Sequence, residues 1–292
     1  MSKKCSKLLD GYKQVSLSQE IAKIGVQSTP FTSMLMAKGS IEKALSTVYT
    51  WREKTLDTTS DISAEEGAET TTFYESARAE LNNVLEIFKK GASVSGSAQA
   101  MQQGQLSAEV NDRLLELKIN MENKLINGTK DDGSSSGIRK MQGLVNFAEA
   151  GNAVDVTGGA MTEQAIKDAM RALWNQNLAE GQYYALVNAD IKEDIDAIYQ
   201  DRYNYSHITT NFGAIADSVN TNYGTVNFIL SKNVPAGQAV FFNDAYVDLA
   251  YLREPHFEPL AKSGDSVKGQ VIAESTLKVG SAKAVGIVTV SA

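Results

Sequence analysis

An α+β fold is predicted for this 292-residue chain by three observations. One long helix over residues 107–127 carries two apolar stripes. A helix–strand–helix succession occupies residues 161–203. From residue 214 onward, short β-prone runs follow one another with turn residues between them. Helices gathered in one part and strands in another give the α+β pattern. No period of 20–50 residues repeats, which excludes solenoids and propellers.

Residues 1–45 read as an arm. SLSQEIAKIG places Leu17, Ile21 and Ile24 on one face, with Gly25 as a stop. QSTPFTSMLM begins extended, because Pro30 biases Thr29 away from the helical region. An arm with so little apolar surface must lie along its own body or along a neighbour.

Residues 46–98 read as an extended loop built on a β-hairpin. STVYTWREK is rich in β-branched and aromatic residues, and ELNNVLEIFKKGASVS is its return, although VLEIF also suits a helix. Between them, residues 56–79 are mostly Thr, Ser, Ala and acids. A loop of that length is either functional and protruding or a disordered insertion. An isolated ribbon is marginal in water, so this one calls for a partner surface. The candidate contacts are Trp51, Glu65, Glu66, Phe73 and Tyr74, the acids at a tip that also holds Asp61 and Glu69.

The long helix, about 30 Å at 1.5 Å per residue, has Val110, Leu114, Leu117, Met121 and Leu125 on one stripe. Leu115, Ile119 and Ile126 lie nearly opposite. Two stripes mean cover from two sides, although the central helix of any α/β protein would show the same. Ser107 is the expected N-cap and Asn127-Gly128 the left-handed stop. Val110, Leu114, Leu117, Ile119, Met121 and Leu125 are the candidate contact residues of this helix. The following GTKDDGSSSG lacks the spacing of a calcium or phosphate loop and reads as solvated.

A second helix is expected over residues 161–181, capped by Thr162, stapled by Met161 and Ile166, and stopped by Gly181. YYALVN is a strand. The next helix starts at an Asp190/Glu193 capping box and presents Ile191, Ile195 and Ile198. Then come the strands AIADSV, TVNFIL, AVFFN, DLAYLR, KGQVIAE and AVGIVTV, with NTNYG, SKNVPAGQ, EPHFEP and SGDS as turns.

Composition narrows the function. Lys and Arg total 28 against 35 Asp and Glu, a net charge of −7 that argues against a dedicated nucleic-acid binder. Cys5 is the single cysteine, so neither an intrachain disulfide nor a thiolate metal site is expected. No apolar run reaches the ~18 residues of a membrane span, and none opens the chain as a signal peptide. No catalytic or nucleotide-binding motif appears, so no cofactor, metal or catalytic residue is expected. His207 beside Ser206 keeps a hydrolase as the alternative from another class, while His256 sits in a Pro-flanked bend. Trp51 and Trp174 are expected to pack, the latter beside Met170 and Leu173.

The order of these parts resembles the major capsid proteins of tailed bacteriophages, with their Hong-Kong-type fold. The matching stretches run in order through nearly the whole chain. They are TPFTSML (29–35), VYTWREKTL (48–56), the EG of AEEGAE (64–69), VSGSAQAM (94–101), NYGTVNFILSKNVP (222–235) and LREPHFEPLAKSGDSVKGQVIAESTLKV (252–279). The resemblance implies an N-terminal arm (1–45), an extended loop (46–98) and an axial domain (143–245). It implies a peripheral domain from 99–142 and 246–292, with the spine helix inside it.

It further implies a structural protein, not an enzyme. Such a protein self-assembles through hexamers and pentamers into an icosahedral head around double-stranded DNA, which it contacts non-specifically. Portal, scaffolding and decoration proteins would be further partners; the location would be the virion, after assembly in the host bacterial cytoplasm, without a membrane. An encapsulin-like protein compartment is the nearest alternative. Neither a built-in coiled scaffolding segment nor an immunoglobulin-like extension is seen. Lys54 near the hairpin is not accompanied by the marked set that a Lys–Asn cross-link needs.

Overall fold

The computed structural model describes residues 28–67, 69–71, 73, 75–100, 106–179, 181–203, 217–262 and 264–291. In chain order, α1 (Pro30–Lys38) and β1 (Ile41–Lys43) lead into the hairpin β2 (Val48–Thr55) and β3 (Ala77–Val84). Then come β4 (Glu86–Ser95), α2 (Gly96–Ala100) and α3 (Leu106–Asn127). β5 (Ala153–Thr157), α4 (Glu163–Trp174), β6 (Tyr183–Val187) and α5 (Ala189–Tyr203) follow. The chain closes with β7 (Ser218–Thr221), β8 (Gly224–Leu230), β9 (Gln238–Asn243), β10 (Val247–Pro259), β11 (Ser266–Val279) and β12 (Val285–Ser291).

Three sheets result among the described residues: β1-β10-β11-β4, β5-β12-β9-β6-β8-β7, and the separate ribbon β2-β3. The six-stranded sheet is covered on both faces, and the alternation of its strands shows how. Ala239 and Phe241 of β9, with Ala185 and Val187 of β6, join Ile166, Met170 and Leu173 of α4 and Ile191 and Ile195 of α5. Val240, Phe242 and Leu186 point the other way. They meet Phe31 and Leu35 of α1, Leu117, Met121, Leu125 and Ile126 of α3, and Phe88, Val271 and Leu277 of the four-stranded sheet. One cluster therefore joins both sheets, with the long helix and the short first helix inside it.

A buried carboxylate holds that junction. Pro30 occupies the first turn of α1, where its missing N–H costs nothing. Thr29 makes no side-chain cap, so the next two amides need an acceptor. Glu122 of α3, with no exposed surface, supplies it: Phe31 N–H and Thr32 N–H donate to its two oxygens at 2.9 and 2.8 Å. The Thr32 hydroxyl donates to the second oxygen as well. Burial raises the Glu122 carboxyl above its ordinary range, and these hydrogen bonds pull it partly back.

Several local expectations change. Residues 30–38 are helical, beginning at Pro30 and ending at the left-handed Gly39. α3 begins at Leu106, which puts Ser107 within its first turn. Gly128 is not left-handed; a Cβ there would lie 2.5 Å from the Met141 carbonyl oxygen, so glycine is needed for close approach. α4 stops at Trp174, short of Gly181, and Asn177 takes the left-handed conformation. Gly181 serves packing, since a Cβ there would strike the Asn243 side chain. The cap of α5 is Asn188, whose Oδ1 accepts from Ile191 N–H at 3.0 Å, in place of Asp190.

VLEIF is extended: β3 and β4 run through it. EPHFEP is strand as well, because β1 pairs only with Leu249–Tyr251 and leaves the rest of β10 an edge where Pro255 sacrifices no ladder bond. Two register shifts in the β10–β11 ladder absorb the irregularity. The last strand, β12, pairs with β5 and β9 in the six-stranded sheet. Val285 and Val288 are apolar on both faces and need cover on both.

Glu122→Ala should cost about 2–5 kcal/mol of subunit stability, because two buried N–H groups lose their acceptor; urea unfolding of the unassembled chain measures it. Glu86 offers a pH test. Its carboxyl is buried and raised, mainly by desolvation, while it accepts Met141 N–H at 3.1 Å. Its stabilisation is therefore complete below the ordinary carboxyl pKa and is lost as pH rises through the higher folded value. Wild type should lose stability relative to Glu86→Gln as pH is raised from about 4 to about 7.

Candidate assembly surfaces

The ribbon leaves the body through a polar root. Its strands pair from Val48↔Val84 to Thr55↔Ala77. One face of β2 turns inward with Tyr49, Trp51 and Glu53 half-buried, and Val48, Thr50, Arg52 and Lys54 face solvent. The Tyr49 hydroxyl donates to Glu42 of β1. Glu42 in turn accepts from Lys278 Nζ of β11 at 2.6 Å, and Asp248 of β10 lies 3.2 Å from the same ammonium. Desolvation opposes both charges. The hydrogen bonds prevail, holding Glu42 below the usual carboxyl range and Lys278 above the usual amine range.

Further along, the Ser281 hydroxyl donates to Glu53 at 2.9 Å, and the Trp51 ring lies 6.4 Å from Phe147. On β3, buried Asn83 donates to the Leu277 and Gln142 carbonyls and accepts from Gln142 N–H. A small apolar contact of Ala44, Leu85 and Ala250 lies beneath.

Beyond this root every described residue from 54 to 80 is exposed. Glu65 and Glu66 are exposed at the tip. Phe73 is 84% exposed, Ile62 85% and Leu56 64%. Tyr74 lies outside the described residues. The tip has local order of its own. The Ser60 hydroxyl donates to Asp57, and with Thr59 N–H at 3.0 Å and Ser60 N–H at 3.1 Å it holds the Asp57 carboxyl at about 2. Asp61 caps Ser63 N–H in the same way.

The spine residues divide. Leu117, Met121 and Leu125 are buried, and Val110 and Leu114 pack against the same cluster. On the opposite stripe Ile126 is buried, but Leu115 and Ile119 are only half-covered within the subunit. The two-sided cover expected for the helix is therefore complete only at its C-terminal end. Trp174, expected to pack beside Met170 and Leu173, is instead 57% exposed and rests at 5.7 Å against Tyr223.

Sequence reasoning missed the residues that hold these surfaces in place: Glu42, Lys278, Asn83, Glu122 and Glu274. Glu274 is buried between Arg139 at 2.8 Å and Arg253 at 3.1 Å. The available signal was a charged or amide residue inside an apolar alternation, as Lys278 between Leu277 and Val279. His256 lies in β10, its Nδ1 2.7 Å from the Glu254 carbonyl and its Nε2 3.0 Å from Glu258. His207 lies outside the described residues. Among the described residues, no three His, Cys, Asp or Glu side chains gather as a metal site, and no helix is long and apolar enough to cross a membrane.

A family model described as SU10 major capsid protein matches residues 6–292. No curated protein sequence matches. Among solved structures, the cyanophage A-1(L) capsid subunit is similar at a TM-score of 0.71 and 10% identity, with 98% of each chain covered. The capsid of the native GTA particle is similar at 0.69 and 13%, covering 98% of this chain and 97% of that one. The SrpI encapsulin of Synechococcus elongatus follows at 0.65 and 12%, covering 94% and 92%. At these identities the likeness is one of fold.

The unequal stripes of the spine yield a comparison within one helix. Leu117→Asp should destabilise the unassembled subunit by about 3–5 kcal/mol, since it buries an unpaired carboxylate. Ile119→Asp should cost less than about 1 kcal/mol in the same urea titration.

Proposed function

The chain belongs to the SU10 major capsid protein family, and from that premise we propose how its surfaces build a shell. As a major capsid protein it forms the icosahedral head of a phage. In the proposed assembly, copies join first into hexamers and pentamers, and the ribbon β2-β3 of each lies over the next. The observation that carries this is the tip itself. Leu56, Ile62 and Phe73 stand in solvent on the loop that joins β2 to β3, beyond the last pair Thr55↔Ala77, and contribute nothing to the subunit's own core. Apolar groups held out in solvent stabilise only what they cover on another molecule. The half-covered stripe of Leu115 and Ile119 is a second surface with the same property.

We divide the subunit accordingly into an arm (1–45), the extended loop (46–98), a peripheral region on the four-stranded sheet and the spine, and an axial region on the six-stranded sheet. The axial region takes in Val285–Ser291. Closure repeats the same few contacts around five-fold and six-fold axes. The net charge of −7 suits a container that confines double-stranded DNA and touches it sparsely and without sequence preference. Assembly takes place in the bacterial host's cytoplasm, with portal, scaffolding and decoration proteins as further partners. An encapsulin-like compartment is disfavoured, because the encapsulin shares the fold at 12% identity while the capsid family model spans residues 6–292.

Electron microscopy of the purified chain tests the shell, and a deletion tests the role of the ribbon. Replacing residues 57–76 by an Asn-Gly turn alters loop closure by less than ~1–2 kcal/mol. It should leave a folded, soluble subunit with unchanged circular dichroism. Closed particles should be absent at concentrations where wild type forms them, because a contact repeated at every subunit is lost. Normal shells from the deletion would make the tip a passive loop.

A further inference from the structure

The direction of the ribbon is fixed by very little. Only Tyr49, Trp51 and Glu53 of β2, with Leu81, Asn83 and Val84 of β3, are covered, and residues 54–80, so far as described, touch no support. At about 3.3 Å per residue, Thr55 lies about 20 Å along the strand from Tyr49, so a tilt of about 10° at the root displaces it by about 3–4 Å. That is the difference between contact and no contact with a neighbouring molecule.

Two cations act at the root: Lys130 Nζ donates to the Asn82 carbonyl and Oδ1 of β3 at 3.0 and 2.6 Å, and Lys278 holds the β2 side. Lys278 Nζ stands 2.6 Å from Glu42 and 3.2 Å from Asp248, its partner across the β10–β11 ladder. Glu42 passes the constraint on to β2 by accepting from the Tyr49 hydroxyl. Removing the ammonium would leave two part-buried carboxylates facing the same space. Glu42 would then move towards solvent and take the Tyr49 anchor with it.

We propose that Lys278 is a positioning residue for shell assembly: acting through Glu42 and Tyr49, it sets the angle at which the ribbon leaves the body, and thereby the curvature of the lattice that copies form. The inference rests on the shell-forming function proposed above. Its mechanism is geometric, since Lys278 itself lies beneath the ribbon root and contributes no part of the exposed tip.

The test compares full-length wild type, Lys278→Met, Lys278→Arg and Tyr49→Phe, with particle diameters from electron microscopy and thermal melts of the unassembled subunits. Lys278→Met leaves Glu42 and Asp248 without their cation and should lower the subunit's melting temperature, with the subunit still folded at the assembly temperature. Its single-diameter shells should give way to a mixture of open sheets, tubes and shells of several sizes. Lys278→Arg, which can reach both carboxylates, should restore one diameter. Tyr49→Phe removes only the hydroxyl and should reproduce the mixture, which keeps the test decisive if Lys278→Met does not fold. Shells of wild-type diameter and yield from both Lys278→Met and Tyr49→Phe would overturn the inference. Absence of shells from wild type would instead overturn the shell-forming function.

Discussion

The fold depends on a carboxylate placed where carboxylates are rarely tolerated. Glu122 sits fully buried near the C-terminal end of the long helix and receives the first free amides of α1 together with the Thr32 hydroxyl. Those amides could not enter an apolar interior unpaired, and the carboxylate could not stay there without donors. Each makes the other's burial possible. The consequence is that Phe31 and Leu35 enter the core, and the Phe31 ring meets Phe242 edge-on at 5.7 Å. That contact lies where the faces of the two large sheets converge, so docking α1 closes the one cluster that both sheets share.

From this point the chain has one route outwards. α1 ends at Gly39, β1 adds three residues parallel to β10, and the ribbon begins five residues later. The body is held mainly by apolar burial, while the ribbon root adds the polar contacts of Tyr49, Glu53 and Asn83 to a small apolar one, a difference with physical consequences. Apolar burial is non-directional and tolerates small shifts, whereas a charge-assisted hydrogen bond fixes position at a few tenths of an ångström. A subunit that must be stable alone and yet present an appendage at a defined angle is served by both. Within the subunit, the exposed Ile62 and Phe73 add nothing to the buried core.

Much of this was legible in the residues. The long helix, the ribbon, the Thr162-capped α4, the strand YYALV and most of the closing strands follow from periodicity and turn chemistry. The errors have local causes. EPHFEP looked like a turn because two prolines normally break a ladder, but an edge strand can hold them. The stop at Gly181 was misplaced because glycine marks both helix ends and tight packing, and here it marks packing against Asn243.

The sequence by itself determined most of which segments are helix, strand or appendage, because period and propensity are properties of neighbours along the chain. It also carried the order of parts and the matching stretches that point to the capsid family. Only the tertiary structure decided that Glu122 caps α1 ninety residues away and that Lys278 reaches Glu42. It alone decided that Val285–Ser291 joins the second sheet and that Ile119 is half-open while Leu117 is buried. Those facts depend on which distant groups share a space. A buried polar side chain shows its partner only when the fold has brought the two together, since its residue type alone is equally at home in water.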